Sequence, residues 1–205
     1  ANIGSVRNKG LEWQLGYSSQ EGELKWTASA NMGIIRNEVV SLGAEGNTIA
    51  RENWYGDNLT LTKAGEPISF FYGYEVERIF QTQEEINAAD AVDGNAGTKY
   101  QANAAPGDIK FRDINGDGII NSSDKVKIGE YLPDFTYGIN MTANWKNFDA
   151  SLFLQGVQGN QIYTTTKYHL EGMTRLFNAG TAVLDAWTTP GQNTSVPRAI
   201  TGDPN

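Results

Sequence analysis

The chain has no cysteine and a single histidine, His169. The first absence excludes a disulfide framework and any thiolate metal site. The second leaves no His cluster for a metal. No nucleophile–base pair accompanies His169, and no phosphate-cradling loop is present, so an enzyme is not expected. Long apolar runs are also missing. Without about 18 consecutive apolar residues there is no transmembrane helix. A membrane β-barrel is untouched by that absence, because its strands hide apolarity in alternation. The opening Ala1-Asn2-Ile3-Gly4 lacks the basic and apolar regions of a signal peptide. Basic residues are few: 16 Lys and Arg stand against 24 Asp and Glu, a net charge of −8. That balance argues against nucleic acid as a partner, since phosphate-backbone binding needs a Lys/Arg surface.

What is abundant is glycine, with 23 residues, and aromatics, with 5 Trp, 9 Tyr and 8 Phe. The apolar fraction is 39%, below the usual range of about 45–50%. This profile suits an all-β chain with many turns. The charge is uneven. Residues 36–134 hold 17 acidic and 9 basic residues, a net of −8, and the rest hold 7 of each.

Two stretches alternate with period 2, the mark of a half-buried strand. In residues 1–35, Leu11, Trp13, Leu15 and Tyr17 alternate with polar or small residues. After the polar turn 18–23, Leu24, Trp26, Ala28, Ala30, Met32 and Ile34 do the same. The pattern predicts an antiparallel hairpin with one apolar face. In residues 135–157 the apolar set is Phe135, Tyr137, Ile139, Met141, Ala143 and Trp145, then Phe148, Ala150, Leu152 and Leu154. Lys146-Asn147 reads as a two-residue turn, although Lys is not favoured there. Phe153 breaks the alternation.

Two environments produce such faces: the core of a soluble β-sandwich, or the wall of a membrane barrel. Strands of about 9–11 residues have the length that crosses a bilayer at a tilt. The opposite face (Thr136, Gly138, Asn140, Thr142, Asn144) is small and uncharged, as in a barrel interior. Trp145 and Phe148 flank the tight turn as interfacial girdle residues do. Pattern alone leaves both environments open.

Residues 36–134 read as a long acidic loop region. Within it, residues 68–80 form a strand candidate, and 81–91 one or two helical turns, with Thr82 and Glu85 as a capping-box pair. Residues 158–205 read as the start of another loop, with a short helix over 176–187.

One motif carries explicit chemistry. Residues 113–124 form a 12-residue oxygen-ligand loop. Ca²⁺ takes six to eight oxygens from positions 1, 3, 5, 7, 9 and 12. Those are Asp113, Asn115, Asp117, the Ile119 carbonyl, Asn121 and Asp124, with Gly118 at the sharp turn. Asp124 is one methylene shorter than the usual Glu. The metal-free alternative is an array of Asx turns, which these residues also favour. A structural Ca²⁺ is the expectation, since no second loop is present to form a switch. Trp54, Tyr55, Tyr72 and Tyr74 are weak candidates for stacking on a sugar, because half-buried aromatics in β structure usually pack. Asn58-Leu59-Thr60, Asn140-Met141-Thr142 and Asn193-Thr194-Ser195 match the glycosylation sequon, which arises easily by chance in such a chain.

The stretch from Pro106-Gly107-Asp108 through Asp113-Ile114-Asn115-Gly116-Asp117-Gly118 resembles SusC/RagA-type TonB-dependent outer-membrane transporters. So do Pro133-Asp134-Phe135-Thr136-Tyr137-Gly138 and Leu152-Phe153-Leu154-Gln155-Gly156. Asn37-Glu38-Val39-Val40, Phe71-Tyr72-Gly73-Tyr74, Trp187-Thr188-Thr189-Pro190 and Val196-Pro197-Arg198 fit as well. The resemblance implies an all-β fold: antiparallel strands of a large outer-membrane β-barrel, seen in part. It implies residues 36–134 outside the cell, bilayer lipid against the wall, and a SusD-like surface lipoprotein as partner. It implies energy from the TonB complex through a plug region that this sequence lacks, and glycan or peptide as cargo. The chain reads as an internal piece of the C-terminal half of the barrel. The rival is a soluble Ca²⁺-stabilised β-sandwich that binds carbohydrate.

Overall fold

The computed structural model describes residues 4–44, 46–52, 58–173 and 178–200. In chain order the elements are β1 (Ser5–Ser19), β2 (Leu24–Ser41), β3 (Thr48–Glu52), β4 (Asn58–Lys63), β5 (Phe70–Gly73), β6 (Val76–Ile79), α1 (Gln83–Asp90), β7 (Ile109–Phe111), β8 (Val126–Gly129), β9 (Phe135–Trp145), β10 (Phe148–Gln158) and α2 (Thr165–Glu171). They divide into two compact units. One takes Ala1–Phe71 and Gly129–Ile162, the other Tyr72–Ile128 and Tyr163–Asn205.

The first unit is built on a four-stranded antiparallel sheet in the order β1-β2-β9-β10. Both alternating stretches form their hairpins. β1 pairs with β2 from Val6↔Val39 to Ser19↔Trp26, and β9 pairs with β10 from Trp145↔Phe148 to Phe135↔Gln158. The hairpins join through β2 and β9, with Leu24 opposite Trp145 and Gly33 opposite Thr136. Two strands that are neighbours in space therefore enclose the whole insertion between Ser41 and Phe135.

Lys146 fills the tight turn at a φ of +56°, a region that costs an L-residue roughly 1 kcal/mol. Its ammonium lies 5.2 Å from the Trp145 ring centroid and 3.5 Å from the Glu23 carboxylate. These contacts explain how a disfavoured residue holds the turn.

β1 and β2 run well past the stretches that the alternation marks. The far end of β2 reaches a small buried site in this unit. Val39 is fully buried, its N–H donates to Glu66 O, and its carbonyl accepts from Gly65 N–H. The Asn37 carboxamide oxygen accepts from Ile68 N–H at 2.8 Å. Nearby, β3 pairs with β4, and β4 with Phe70 and Phe71.

The second unit carries its own core of Phe80, Ile86, Ala89 and Tyr100, with Ala104 and Ile120 packed against it. Helix α1 starts where the capping signal places it. Thr82 Oγ1 accepts from Glu85 N–H, which satisfies one orphan donor of the helix start, and the Glu85 carboxylate reaches back one residue past the cap to accept from Gln81 N–H. β6 and β7 pair antiparallel, with Val76 opposite Phe111 and Ile79 opposite Ile109. The acidic segment is thus not one irregular loop. The strand expected over 68–80 is two short strands, β5 and β6, broken at Tyr74-Glu75. The helix expected over 176–187 falls partly outside the described residues, and Thr181–Asp185 forms a 3₁₀ helix.

Candidate functional site: a one-sided sheet and an oxygen-rich loop

Register decides what the sheet can do. The pairing puts Trp13, Met32 and Tyr137 in one row across the strands. Leu15, Ala30, Ile139 and Leu154 make the next, and Tyr17, Ala28, Met141 and Leu152 the one after. Strict alternation keeps these rows on one face. That face is uncovered: Leu15 is 69% exposed, Tyr17 63% and Phe148 71%. A sandwich would bury these side chains against a second sheet, and among the described residues no second layer covers them.

The face is bounded by aromatics. At the turn edge, Tyr17 and Trp26 sit 5.1 Å apart and Trp145 and Phe148 6.4 Å apart, ring centroid to centroid. At the other edge, Phe135 and Tyr137 sit 6.2 Å apart. Trp145 and Tyr137 are eight residues apart on β9. At about 3.4 Å per residue this is about 27 Å along the strand. A barrel tilt of 35–45° shortens it to about 20 Å along the membrane normal, near the apolar band of outer-membrane barrels.

The opposite face is polar and small. Thr27 and Thr142 pair hydroxyl to hydroxyl. The Asn31 carboxamide lies over Gly138, where a β-carbon would come within 3.1 Å. Phe153, the break in alternation, stands on this face and is 63% exposed.

The oxygen-rich loop lies in the second unit and closes on its own backbone. Asp113 accepts from Gly116 and Gly118 N–H, both at 2.7 Å. The Asn115 oxygen accepts from Asp117 N–H, and Asp117 accepts from Ile119 N–H. Asn121 caps a 3₁₀ turn, Ser122–Asp124, by accepting from Ser123 N–H. Asp124 is fully buried and accepts from Ile114 and Asn121 N–H at 3.0 and 2.9 Å. Burial pushes its carboxyl up. The backbone N–H groups of Asn121, Ile114 and Asn115 and the side chain of Asp113 outweigh that and hold it below its ordinary value.

All six expected ligand residues therefore share one loop, arranged as successive Asx turns. Among the described residues, no three Asp, Glu or His side chains converge as a metal cluster. The donor chemistry nonetheless suits a hard cation. A carboxylate has about four lone-pair sites, and the hydrogen bonds to Asp113 and Asp117 leave some of them open.

The aromatic candidates separate. Trp54 and Tyr55 lie outside the described residues. Tyr74 packs 5.1 Å from Phe111, with the Lys125 ammonium 5.0 Å from its ring centroid. Tyr72 is half-buried. His169 lies in the last turn of α2, its ring edge-on to Tyr168. Sequence reasoning missed Asp108, Gln81 and Arg198 as a set. The Asp108 carboxylate is fully buried and accepts from Arg198 Nε at 2.6 Å and Nη2 at 3.1 Å. The available signal was two family-like runs, Pro106-Gly107-Asp108 and Val196-Pro197-Arg198, which do not reveal that they meet.

No family model matches the chain. Among curated proteins it is 30% identical over 214 residues to TonB-dependent receptor P26 of Formosa agariphila, covering 99% of this chain and 20% of that protein. TonB-dependent receptor P3 of the same organism is 30% identical over 202 residues, 96% of this chain and 19% of that protein. TonB-dependent receptor SusC of Bacteroides thetaiotaomicron is 26% identical over 172 residues, 79% of this chain and 15% of that protein. The chain spans about a fifth of the length of the first two relatives. Among solved structures it superposes on the RagAB peptide transporter with a TM-score of 0.71 at 21% identity, over 100% of this chain and 21% of that one. The RagAB peptide importer in its closed-closed state gives 0.67 at 21% identity, over 97% and 20%. These superpositions show the fold, that of a TonB-dependent transporter barrel. Across nearly its whole length the chain is similar to TonB-dependent receptors, SusC among them.

Proposed function

We propose that the protein takes part in TonB-dependent import across the bacterial outer membrane. The cargo is a glycan or another oligomeric nutrient such as a peptide, taken up with a SusD-like surface lipoprotein and powered through TonB. The observation that carries this reading is the uncovered apolar face of β1-β2-β9-β10, backed by a small polar face. In water such a face costs free energy, and against lipid it does not. The aromatic rims and the names of the relatives support it. In this reading the turn edge faces the periplasm and residues 36–134 lie outside the cell, where short turns and long loops respectively belong. The test is to delete the full-length gene and follow growth on single glycans and peptides. Loss of growth on one class, restored by the gene, is the expected result. Recovery of the full-length protein in the soluble rather than the outer-membrane fraction would sink the reading.

We also propose that Asp113, Asn115, Asp117, the Ile119 carbonyl, Asn121 and Asp124 hold a structural Ca²⁺. Support comes from the donor at every ligand position of the loop and from the lone pairs left open. Binding would stabilise the second unit by mass action. A thermal melt of the full-length protein with Ca²⁺ and with chelator should differ by several degrees. Superimposable curves would count against the ion.

A further inference from the structure

The second unit is assembled from two stretches far apart in sequence, and a buried ion pair fastens them. One stretch, 72–128, belongs to the insertion between β2 and β9. The other, 163–200, follows β10. Both leave the sheet from one rim, since Gly33 lies opposite Thr136 and Phe135 opposite Gln158. They are successive excursions, separated by the β9-β10 hairpin.

Three contacts hold the second stretch to the first. Arg198 grips the fully buried Asp108 carboxylate through two guanidinium nitrogens. Its N–H donates to Gly107 O at 2.9 Å. Gln81 Oε1 accepts from both Trp187 Nε1 at 3.2 Å and Gly191 N–H at 2.8 Å. Gly107, at a φ of +95°, lets this happen: a β-carbon there would strike the Trp187 ring and the Arg198 methylenes. On the far side, Phe80 N–H donates to Asp108 O and Gly107 N–H to Phe80 O. The grip thus lies one hydrogen bond from the core residue Phe80. A buried carboxylate stripped of its cation is strongly destabilising, so neither stretch can part from the other at small cost.

We propose that residues 187–198 are a strap that welds two successive excursions into one body, which opens and moves as a unit. Motion imposed on one excursion is then carried to the other without a contact through the sheet. The inference does not rest on the identity of the cargo.

Hydrogen exchange on the full-length protein in detergent tests it. In the wild type, the amides of 187–198 and those of Phe80, Gly107 and Asp108 should show protection within roughly threefold of each other, as one cooperative unit does. Arg198→Met should raise exchange about tenfold or more in both stretches. Gln81→Ala, which spares the ion pair, should raise it in both to a smaller extent. A strap that exchanges far faster than Phe80 and Gly107 in the wild type would overturn the proposal. So would either variant that loosens 187–198 and leaves Phe80 and Gly107 at wild-type protection. If Arg198→Met fails to fold, the wild-type comparison and Gln81→Ala still decide.

Discussion

At the scale of single residues, the buried acids in the second unit have definite jobs. Asp124 accepts from the backbone of Ile114 and Asn121. Removing it takes the acceptor from two part-buried N–H groups, at roughly 1 kcal/mol each. Asp124→Ala should therefore speed exchange of those two amides. The same contacts set a pH limb. The folded carboxyl is held below 3.8, so its stabilisation is present above that value and is lost as pH falls through the folded value. An acid titration of unfolding should show this limb in the wild type and lose it in Asp124→Ala. A second residue, Gly107, has both a positive φ and no room for a β-carbon. Gly107→Ala should destabilise the unit by about 1–3 kcal/mol, read as faster proteolysis between Trp187 and Arg198. Unchanged cleavage would show that the close approach is dispensable.

At the scale of elements, strand β9 sorts its neighbours by face. Ile139 and Asn140 are adjacent in sequence and point to opposite sides of the sheet. In a barrel wall, an arginine on the lipid side near mid-depth costs about 2–4 kcal/mol, whereas lumen positions tolerate polarity. Ile139→Arg should lower the urea midpoint of the full-length protein in vesicles, and Asn140→Arg should leave it nearly unchanged. Equal effects would mean that the two faces do not differ as proposed. Gly156 lies opposite Tyr137, whose ring occupies the space of a β-carbon, so an aromatic covers a bare stretch of strand. At this scale the strands were legible because alternation is a local signal. Their outer limits were not. β2 runs on to Ser41 because Val39 finds burial and partners in Gly65 and Glu66, which no periodicity announces.

At the scale of the whole molecule, the long insertion stands between strands that pair directly. β2 and β9 hold one another along Leu24–Gly33 and Thr136–Trp145, and those hydrogen bonds involve no residue of the insertion. Excising residues 72–128 from the full-length protein should leave barrel assembly intact. The measure is heat-modifiable migration on a gel. Loss of the folded band would show that the insertion is needed to assemble the wall.

The sequence by itself determined the sheet: which residues alternate, which face is apolar, where the tight turns fall and where the acidic charge collects. These follow from periods of two and from turn chemistry, which are encoded within a few neighbouring residues. It also placed all six residues of the oxygen-rich loop together, because they fall within one twelve-residue stretch. Only the tertiary structure decided that the acidic segment has a core. Phe80, Ile86, Tyr100 and Ile120 are spaced without period and meet through the chain's path. Only the tertiary structure joined Asp108 to Arg198, 90 residues away. A buried ion pair is chosen by the position of its partner in space, and sequence spacing carries no record of that.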